Sequence, residues 1–273
     1  MRPAAAASLA ARYAAAVAAL IVFLFPLYWM VATALKPQED ILTYPPVWWP
    51  RSPEFGNVAT LLGGDAAAAL LHSAGVALAS TLIAMVLGTI GGYAMARSGL
   101  AGRLFAGWGM AARMAPPVAI ALPFLLILGG MGRAEGLAAL VVIYAAFNLP
   151  YVAWMMRGYF RAVPVALKEV AAVAGMGPEE VRRHVTWPMV RGGFAATAAF
   201  TFLLAWNKLV FALVLMPEGA ATVPVHLARL GHEPDQWAEA AALGTAAMLP
   251  AVVALACMGR RLARSLSLGV VGE

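Results

Sequence analysis

The feature that most constrains this chain is a series of long apolar stretches with almost no charge. A helix needs about 20 apolar residues to cross a bilayer, and stretches of this order recur along the 273 residues. The six stretches are Tyr13–Leu35, Ala66–Ala96, about Leu104–Gly132, Gly136–Met156, Gly192–Met216 and Ala240–Gly259. Because a single segment satisfies its backbone groups in lipid only as a helix, we expect an all-α integral membrane protein with six transmembrane helices.

The composition indicates the same class. Hydrophobic residues make up 63% of the chain and charged residues only 12%, whereas soluble domains contain roughly a quarter charged residues. A cleaved signal peptide is an alternative for the first stretch, since Arg2 and Arg12 precede its apolar part. We interpret it as a membrane helix because the apolar run is longer than a typical signal sequence and no convincing cleavage site follows.

Basic residues are distributed unevenly between the two sides of this predicted bundle. With the amino terminus inside, thirteen of the nineteen lysines and arginines lie in cytoplasmic segments, and Arg113 and Lys208 lie within membrane stretches. The four on the outer side are Lys36, Arg51, Arg133 and Arg229. Because lysine and arginine in short loops set orientation, we expect both termini to be cytoplasmic and the chain to span the inner, or plasma, membrane several times.

The two basic residues inside apolar stretches, Arg113 and Lys208, have two interpretations. Charges within membrane segments are rare and are functional-site candidates, so both are candidate residues of a translocation pathway, together with the adjacent Asn207. The structural alternative is that Lys208 extends to the membrane surface, Arg113 pairs with a partner chain and Asn207 joins neighbouring helices. The sequence leaves both interpretations open.

Several function classes are disfavoured by what the sequence lacks. Membrane orientation explains the positive charge, so the charge does not indicate nucleic-acid binding. One cysteine, Cys257, and four separated histidines provide no metal-ligand pattern. No carboxylate lies deep in a predicted span, where a proton-coupled transporter usually places one. Since no lysine follows a glycine as in a phosphate-binding loop, we expect no catalytic residues and no ATP hydrolysis from this chain.

One long hydrophilic segment, residues 158–191, separates the fourth and fifth stretches. Pro164 suits the first turn of a helix, Gly175 and Gly177 suit a break, and Pro178 suits the start of a second helix. The segment therefore predicts a helix, a break and a second helix.

The first of these helices carries small apolar residues at helical spacing, at Leu167, Ala171 and Ala174. This pattern favours insertion into a groove of a partner protein. The alternative is a helix lying on the membrane surface, which would be expected to bury larger apolar residues.

Within this segment, Glu169-Val170-Ala171, then Gly175 and Pro188, resemble the EAA–Gly–LP loop of binding-protein-dependent ABC permeases. Further motifs are similar to the MalG-like branch of carbohydrate permeases, and they follow one another in order along essentially the whole chain. They are Phe25–Met30 with Leu35–Pro37, Tyr44–Pro46, Leu149–Arg157, Trp206-Asn207 and the closing Leu268–Glu273.

The resemblance implies a type I ABC importer permease of the MetI-like fold, with residues 1–273 as one transmembrane domain and 158–191 as a coupling loop. The implied ATPase-coupling residues are Glu169, Val170, Ala171, Gly175, Met176 and Pro188. The implied partners are a second, MalF-like permease subunit, a dimer of ATPase subunits and an extracytoplasmic solute-binding protein. This chain would bind no cofactor, and the ATPase would use ATP and Mg.

The implied substrate is a disaccharide or an oligosaccharide. A glycerol phosphate is the alternative, because Arg113 and Lys208 would suit an anionic solute, and an ion-coupled secondary transporter is a more distant one. Three departures weaken the transfer of individual roles: Val170 is the middle residue of the triplet, Ala174 replaces a frequent acid, and Lys208 follows Asn207 where an acid is common.

Overall fold

A computed structural model describes residues 3–128, 133–216 and 221–269, and these residues form α-helices without any strand. The helices are α1 (Pro3–Ala34), α2 (Gly56–Ala59), α3 (Gly64–Arg97), α4 (Gly99–Ala112), α5 (Pro117–Leu128), α6 (Arg133–Ala162), α7 (Val165–Val173), α8 (Pro178–Val181), α9 (Trp187–Trp206), α10 (Val210–Leu215), α11 (Val223–Leu230) and α12 (Trp237–Gly269). The all-α prediction is confirmed. The side chain of Cys257 and the last part of the closing motif, residues 270–273, lie outside what the structure describes.

Within the described ranges, five helical segments are long and apolar enough to cross a membrane. They are Leu9–Ala34, Gly64–Arg97, Glu135–Ala162, Pro178–Trp206 and Pro234–Ala256. These segments correspond to the first, second, fourth, fifth and sixth predicted stretches. The count of six spans and the cytoplasmic position of the termini therefore remain predictions.

Two of the predicted stretches are interrupted, and the expectation of an unbroken helix is wrong for both. In the third, α4 ends at Ala112 and α5 begins at Pro117. Pro116 and Pro117 lack backbone N–H groups and disfavour the α conformation in the residue before them, so one helix does not continue through this point. In the fifth, α9 ends at Trp206 and α10 begins at Val210.

The chain forms two compact units by internal contacts. The first comprises Met1–Ala67 and His226–Leu249, and the second comprises Ala68–Val225 and Pro250–Glu273. In the first unit, aromatic residues collect at the end of α1: the Trp29 and Trp48 rings meet edge to face at 5.8 Å, and the buried Lys36 places Nζ 4.0 Å from the Trp29 ring centre. Such aromatic clusters are typical of the membrane–water interface.

In the second unit, the backbones of α3 and α6 approach each other closely. A β-carbon placed at Gly88 would lie 2.7 Å from Val152 Cβ, and one at Gly92 would lie 2.8 Å from the carbonyl oxygen of Ala153. These distances are shorter than real contacts, so α3 packs against α6 only because both positions are glycine. The Gly88/Gly92 pair therefore serves helix packing, as its spacing predicts.

Candidate functional site

The hydrophilic segment begins with α7, which follows Pro164 at its N-cap position. Ala171 is 7% exposed and faces the rest of its own unit, whereas Val170 is 68% exposed and Val173 is 90% exposed. Glu169 is also exposed. The open side of α7 is thus rich in valine, and the small residue of the triplet faces inward. Exposed apolar surface in an otherwise hydrophilic segment is a candidate interaction site.

A glycine turn ends α7. Gly175 has φ +85°, a left-handed conformation that favours glycine. The Met176 N–H donates to the Ala171 carbonyl at 3.1 Å, and the Gly175 N–H donates to the Ala172 carbonyl at 3.0 Å. This pair of bonds is a Schellman motif, which satisfies the last carbonyls of a helix and sets the direction of the chain beyond it. Gly175 therefore determines the angle between α7 and the segment that follows.

The second helix of the segment starts where the sequence predicts it, at Pro178. The Gly177 N–H donates to the Glu180 carboxylate at 2.8 Å, which caps the new helix, and Arg182 forms an ion pair with Glu179. Acidic residues in the first turn also stabilise the positive end of the helix dipole.

This second helix is continuous with a membrane helix. A π-helical turn at Arg182–Thr186 joins α8 to α9, with the Trp187 N–H donating to the Arg182 carbonyl, and the helical path runs from Pro178 to Trp206. The wider turn lies directly before Pro188, whose ring would otherwise clash with the preceding turn of an α-helix. The α8 and α9 helices therefore form one continuous helical path.

The candidate pathway residues lie at the two helix interruptions. Arg113 follows the last residue of α4, and Asn207 and Lys208 lie between α9 and α10. The helices that follow the two interruptions, α5 and α10, pack against each other in the second unit.

The ammonium group of Lys208 packs against α6. Its Nζ donates to Asn148 Oδ1 at 3.2 Å and lies 4.9 Å and 4.8 Å from the ring centres of Tyr144 and Phe147. The Tyr144 hydroxyl donates to the backbone carbonyl of Lys208 at 2.9 Å. Cation–π contacts and hydrogen bonds hold this charge in place of an acidic partner.

Arg113 lies over an aromatic ring of the same helix. Its guanidinium carbon is 5.2 Å from the ring centre of Tyr151, and its Nη1 is buried without a hydrogen-bond partner. It lines a cavity of about 210 Å³ together with Ile120, Phe124 and Phe147. Within the described residues, neither Arg113 nor Lys208 forms an ion pair with a carboxylate.

Asn207 has a local role in the structure. Its side-chain amide donates to the carbonyl of Leu203 at 2.9 Å, one turn earlier in α9, and the residue is exposed. The same carbonyl also accepts the backbone N–H of Asn207 at 3.1 Å, so the side chain adds a second bond at the last turn of α9.

The α6 residues that complete this cluster were not among the residues predicted from the sequence. Asn148 is fully buried, and its Nδ2 has no hydrogen-bond partner in the described part of the chain. It is the one amide in the fourth apolar stretch, and polar residues within membrane helices are candidates for helix–helix bonding. That signal alone was sufficient to identify it, whereas Tyr144 and Tyr151 are common interface residues and carry no such signal.

Comparison with known proteins identifies the family of this chain. The family described as binding-protein-dependent transport system inner membrane component matches residues 80–268. The diacetylchitobiose uptake system permease protein of Streptomyces coelicolor is 30% identical over 94% of both chains. The trehalose transport system permease protein of Mycobacterium tuberculosis is 29% identical over 91% of this chain and 92% of that protein.

A solved structure has the same fold. It is a bacterial ABC transporter involved in the import of the acidic polysaccharide alginate, with a TM-score of 0.67 and 17% identity over 95% of this chain and 98% of the matched chain. The MetI-like permease fold, the membrane location and the resemblance to ABC permeases are thereby confirmed. The chain belongs to the family of binding-protein-dependent transport system inner membrane components, as a permease subunit of an ABC importer.

Proposed function

We propose that this permease forms half of the translocation pathway for a disaccharide or oligosaccharide. The observation that carries the coupling part is the continuous helical path from Pro178 to Trp206, which begins after the turn that ends α7 and continues as an apolar helix long enough to cross a membrane. The substrate class is supported by two relatives, each about 30% identical over nearly the whole chain, which are named for diacetylchitobiose and trehalose transport.

The proposed assembly contains four kinds of subunit. A second, MalF-like permease completes the pathway, a dimer of ATPase subunits supplies the energy, and an extracytoplasmic binding protein delivers the solute. ATP and Mg are used in the ATPase subunits, and this chain binds neither. In this assembly residues 1–273 act as one permease domain, and 158–191 is its coupling loop.

The geometry of that loop supports the following coupling step. The exposed face of α7, with Glu169, Val170 and Val173, enters a groove of the ATPase, while Ala171 allows close packing on the side that faces its own chain. Gly175 and Met176 form the Schellman turn that fixes the direction of α7 relative to α8. When the ATPase subunits close, α7 moves with them, and the α8–α9 path past Pro188 transmits the movement to the membrane helices. ATP and the loaded binding protein each shift the equilibrium between inward-open and outward-open states.

A charge placed on the exposed face of α7 tests this docking. Val173→Asp introduces a carboxylate at a side chain that is 90% exposed, so folding is retained and burial in a partner groove becomes unfavourable. We expect co-purification of the ATPase and binding-protein-stimulated ATP hydrolysis to fall together. The matched control is Val58→Asp in α2, which lies outside the coupling loop. Full retention of the ATPase by the Val173 variant would refute docking through this face.

A separate measurement tests the substrate class. Calorimetry with the cognate binding protein compares disaccharides and oligosaccharides with glycerol phosphates at equal concentration. Heat of binding from a neutral saccharide supports the proposal, and binding of glycerol phosphates alone contradicts it.

The cluster around Lys208 favours one second candidate, an anionic solute. Arg113 Nη1 and Asn148 Nδ2 are buried donors without partners, and both cations lack a carboxylate in the described residues. A site rich in donors suits the oxygen atoms of a phosphate or carboxylate, which only accept hydrogen bonds. Sugar hydroxyls also accept such bonds, so the binding-protein measurement decides between the two candidates.

A further inference from the structure

A second cavity of the second unit lies away from the cation cluster, on the same side as the coupling loop. This cleft has a volume of about 410 Å³ and opens between α3, α6 and the α8–α9 segment. Its apolar lining includes Ile90, Phe160 and Trp187, and its charged lining includes Arg182 and Arg183. Neither the coupling step nor the candidate pathway uses this space.

The charged part of the cleft is predominantly basic. Arg97, the last residue of α3, donates from Nη1 to the hydroxyl of Tyr93 at 2.9 Å, and Tyr93 lines the cleft. Arg182 forms the ion pair with Glu179, the one carboxylate in the lining. Two guanidinium groups and one carboxylate therefore line the cleft, and Arg97 lies at its edge through Tyr93. Neither Arg97 nor Arg183 forms an ion pair with a carboxylate in the described residues.

One polar group inside the cleft also has no partner. The hydroxyl of Thr89 is buried and makes no hydrogen bond within the described chain, and Thr89 lines the same space as Ile90. A buried hydroxyl without a partner is destabilising, and an oxygen-bearing ligand at this position would satisfy it. The phosphate and ester oxygens of a lipid headgroup are acceptors of this kind.

The cleft lies where the apolar part of α3 gives way to its basic end. Ile90 lies in the apolar part of α3 and Arg97 is at its end, seven residues later, or about 10 Å along a helix. The interfacial layer on each side of a bilayer is about 5–8 Å thick. A single occupant of this cleft would have an apolar part beside Ile90 and Phe160 and an anionic part beside the arginines.

We propose that this cleft binds an anionic phospholipid. An acyl chain lies along Ile90, Phe160 and Trp187, and the phosphate accepts hydrogen bonds from Arg97 and Arg183. Basic pockets between membrane helices on the cytoplasmic side are typical sites for such headgroups. Because the lipid contacts the π-helical turn that joins α8 to α9, it also braces the helix that leaves the coupling loop. The proposal does not depend on which solute the transporter carries.

Native mass spectrometry of the complete transporter complex tests the site. The complex is equilibrated with equal amounts of phosphatidylglycerol and phosphatidylcholine of the same acyl composition, and the bound lipids are counted. We expect phosphatidylglycerol to be retained preferentially. An arginine near the membrane surface contributes about fivefold to the binding of an anionic lipid, so Arg97→Gln with Arg183→Gln lowers the preference by up to about 30-fold.

Two further variants give the experiment its controls. Arg161→Gln with Arg191→Gln removes the same charge from exposed positions that neither line the cleft nor bond to Tyr93, and it leaves the preference unchanged. Ile90→Trp fills the apolar part while keeping every arginine, so it displaces a lipid but not a free phosphate ion. Equal retention of both lipids by the unaltered complex overturns the proposal without any variant. An equal loss of phosphatidylglycerol preference in the cleft pair and the control pair also overturns it. Unchanged retention of phosphatidylglycerol by Ile90→Trp does so as well.

Discussion

Replacement of Gly175 by valine isolates the turn that directs α7. At φ +85° a residue with a β-carbon is strained, although no atom lies within 4 Å of the position where that carbon would be placed. A non-glycine residue in this region costs about 1–3 kcal/mol, and a β-branched one is at the upper end. If α7 changes its direction to relieve this strain, the population that can dock falls by about fivefold to 150-fold.

The assay uses the complete transporter in proteoliposomes. We expect Gly175→Val to insert and assemble, to retain less ATPase subunit on affinity purification, and to lose most binding-protein-stimulated hydrolysis and uptake. Gly175→Asn should be milder, because asparagine tolerates the left-handed conformation. Gly192→Val is the matched control, since Gly192 lies inside α9, is exposed and has no atom within 4 Å of its β-carbon position. Wild-type uptake and stimulation in Gly175→Val would refute the role of this turn in coupling.

Three other predictions concern the membrane part. Lys208→Met should reduce transport of an anionic solute more than that of a neutral saccharide if the cation contacts substrate, and an equal reduction of both indicates a structural role. Tyr144→Phe removes the donor to the Lys208 carbonyl and should lower stability by about 1–3 kcal/mol, measured as a lower melting temperature of the purified complex, with Tyr13→Phe as the exposed control. A cysteine at Ser52 should react with an impermeant reagent in intact cells and one at Glu179 should not, and the opposite pattern would reverse the orientation.

Features set by neighbouring residues were predictable from the sequence. The hydrophilic segment illustrates this, because Pro164, Gly175 and Pro178 each act on the backbone within one or two residues of their own position. The start of α7, its end and the start of α8 therefore lie where the residue types require them. Gly88 and Gly92 likewise indicate a close approach on one face of α3, although their spacing does not identify α6 as the helix that packs there.

Features that depend on tertiary contacts were not predictable. Helical spacing placed Ala171 on the face of α7 that would meet a partner, but the structure buries it against its own chain and exposes Val170 and Val173. Periodicity identifies an apolar face without stating which protein covers it. Hydropathy likewise predicts Gly192–Met216 as one span. The three residues Asn207–Leu209 hardly change the mean hydropathy of a window of about 20 residues.

The interrupted spans give a common physical reason for the polar residues of the second unit. A break in a membrane helix leaves carbonyl groups that have no water to bind, so nearby side chains must satisfy them. Tyr144 donates to the Lys208 carbonyl, and the Asn207 side chain adds a second donor to the Leu203 carbonyl, which also accepts the Asn207 backbone N–H. These bonds stabilise the break whether or not a substrate is present. The side chains of Lys208 and Arg113 differ from those of Asn207 and Tyr144, because, among the described residues, neither binds a carbonyl group of the break. Arg113 Nη1 makes no hydrogen bond in the described chain, and the Lys208 ammonium makes one, to Asn148. Arg113 Nη1 and the unused hydrogens of the Lys208 ammonium are therefore the donors that a solute or a second permease subunit can bind.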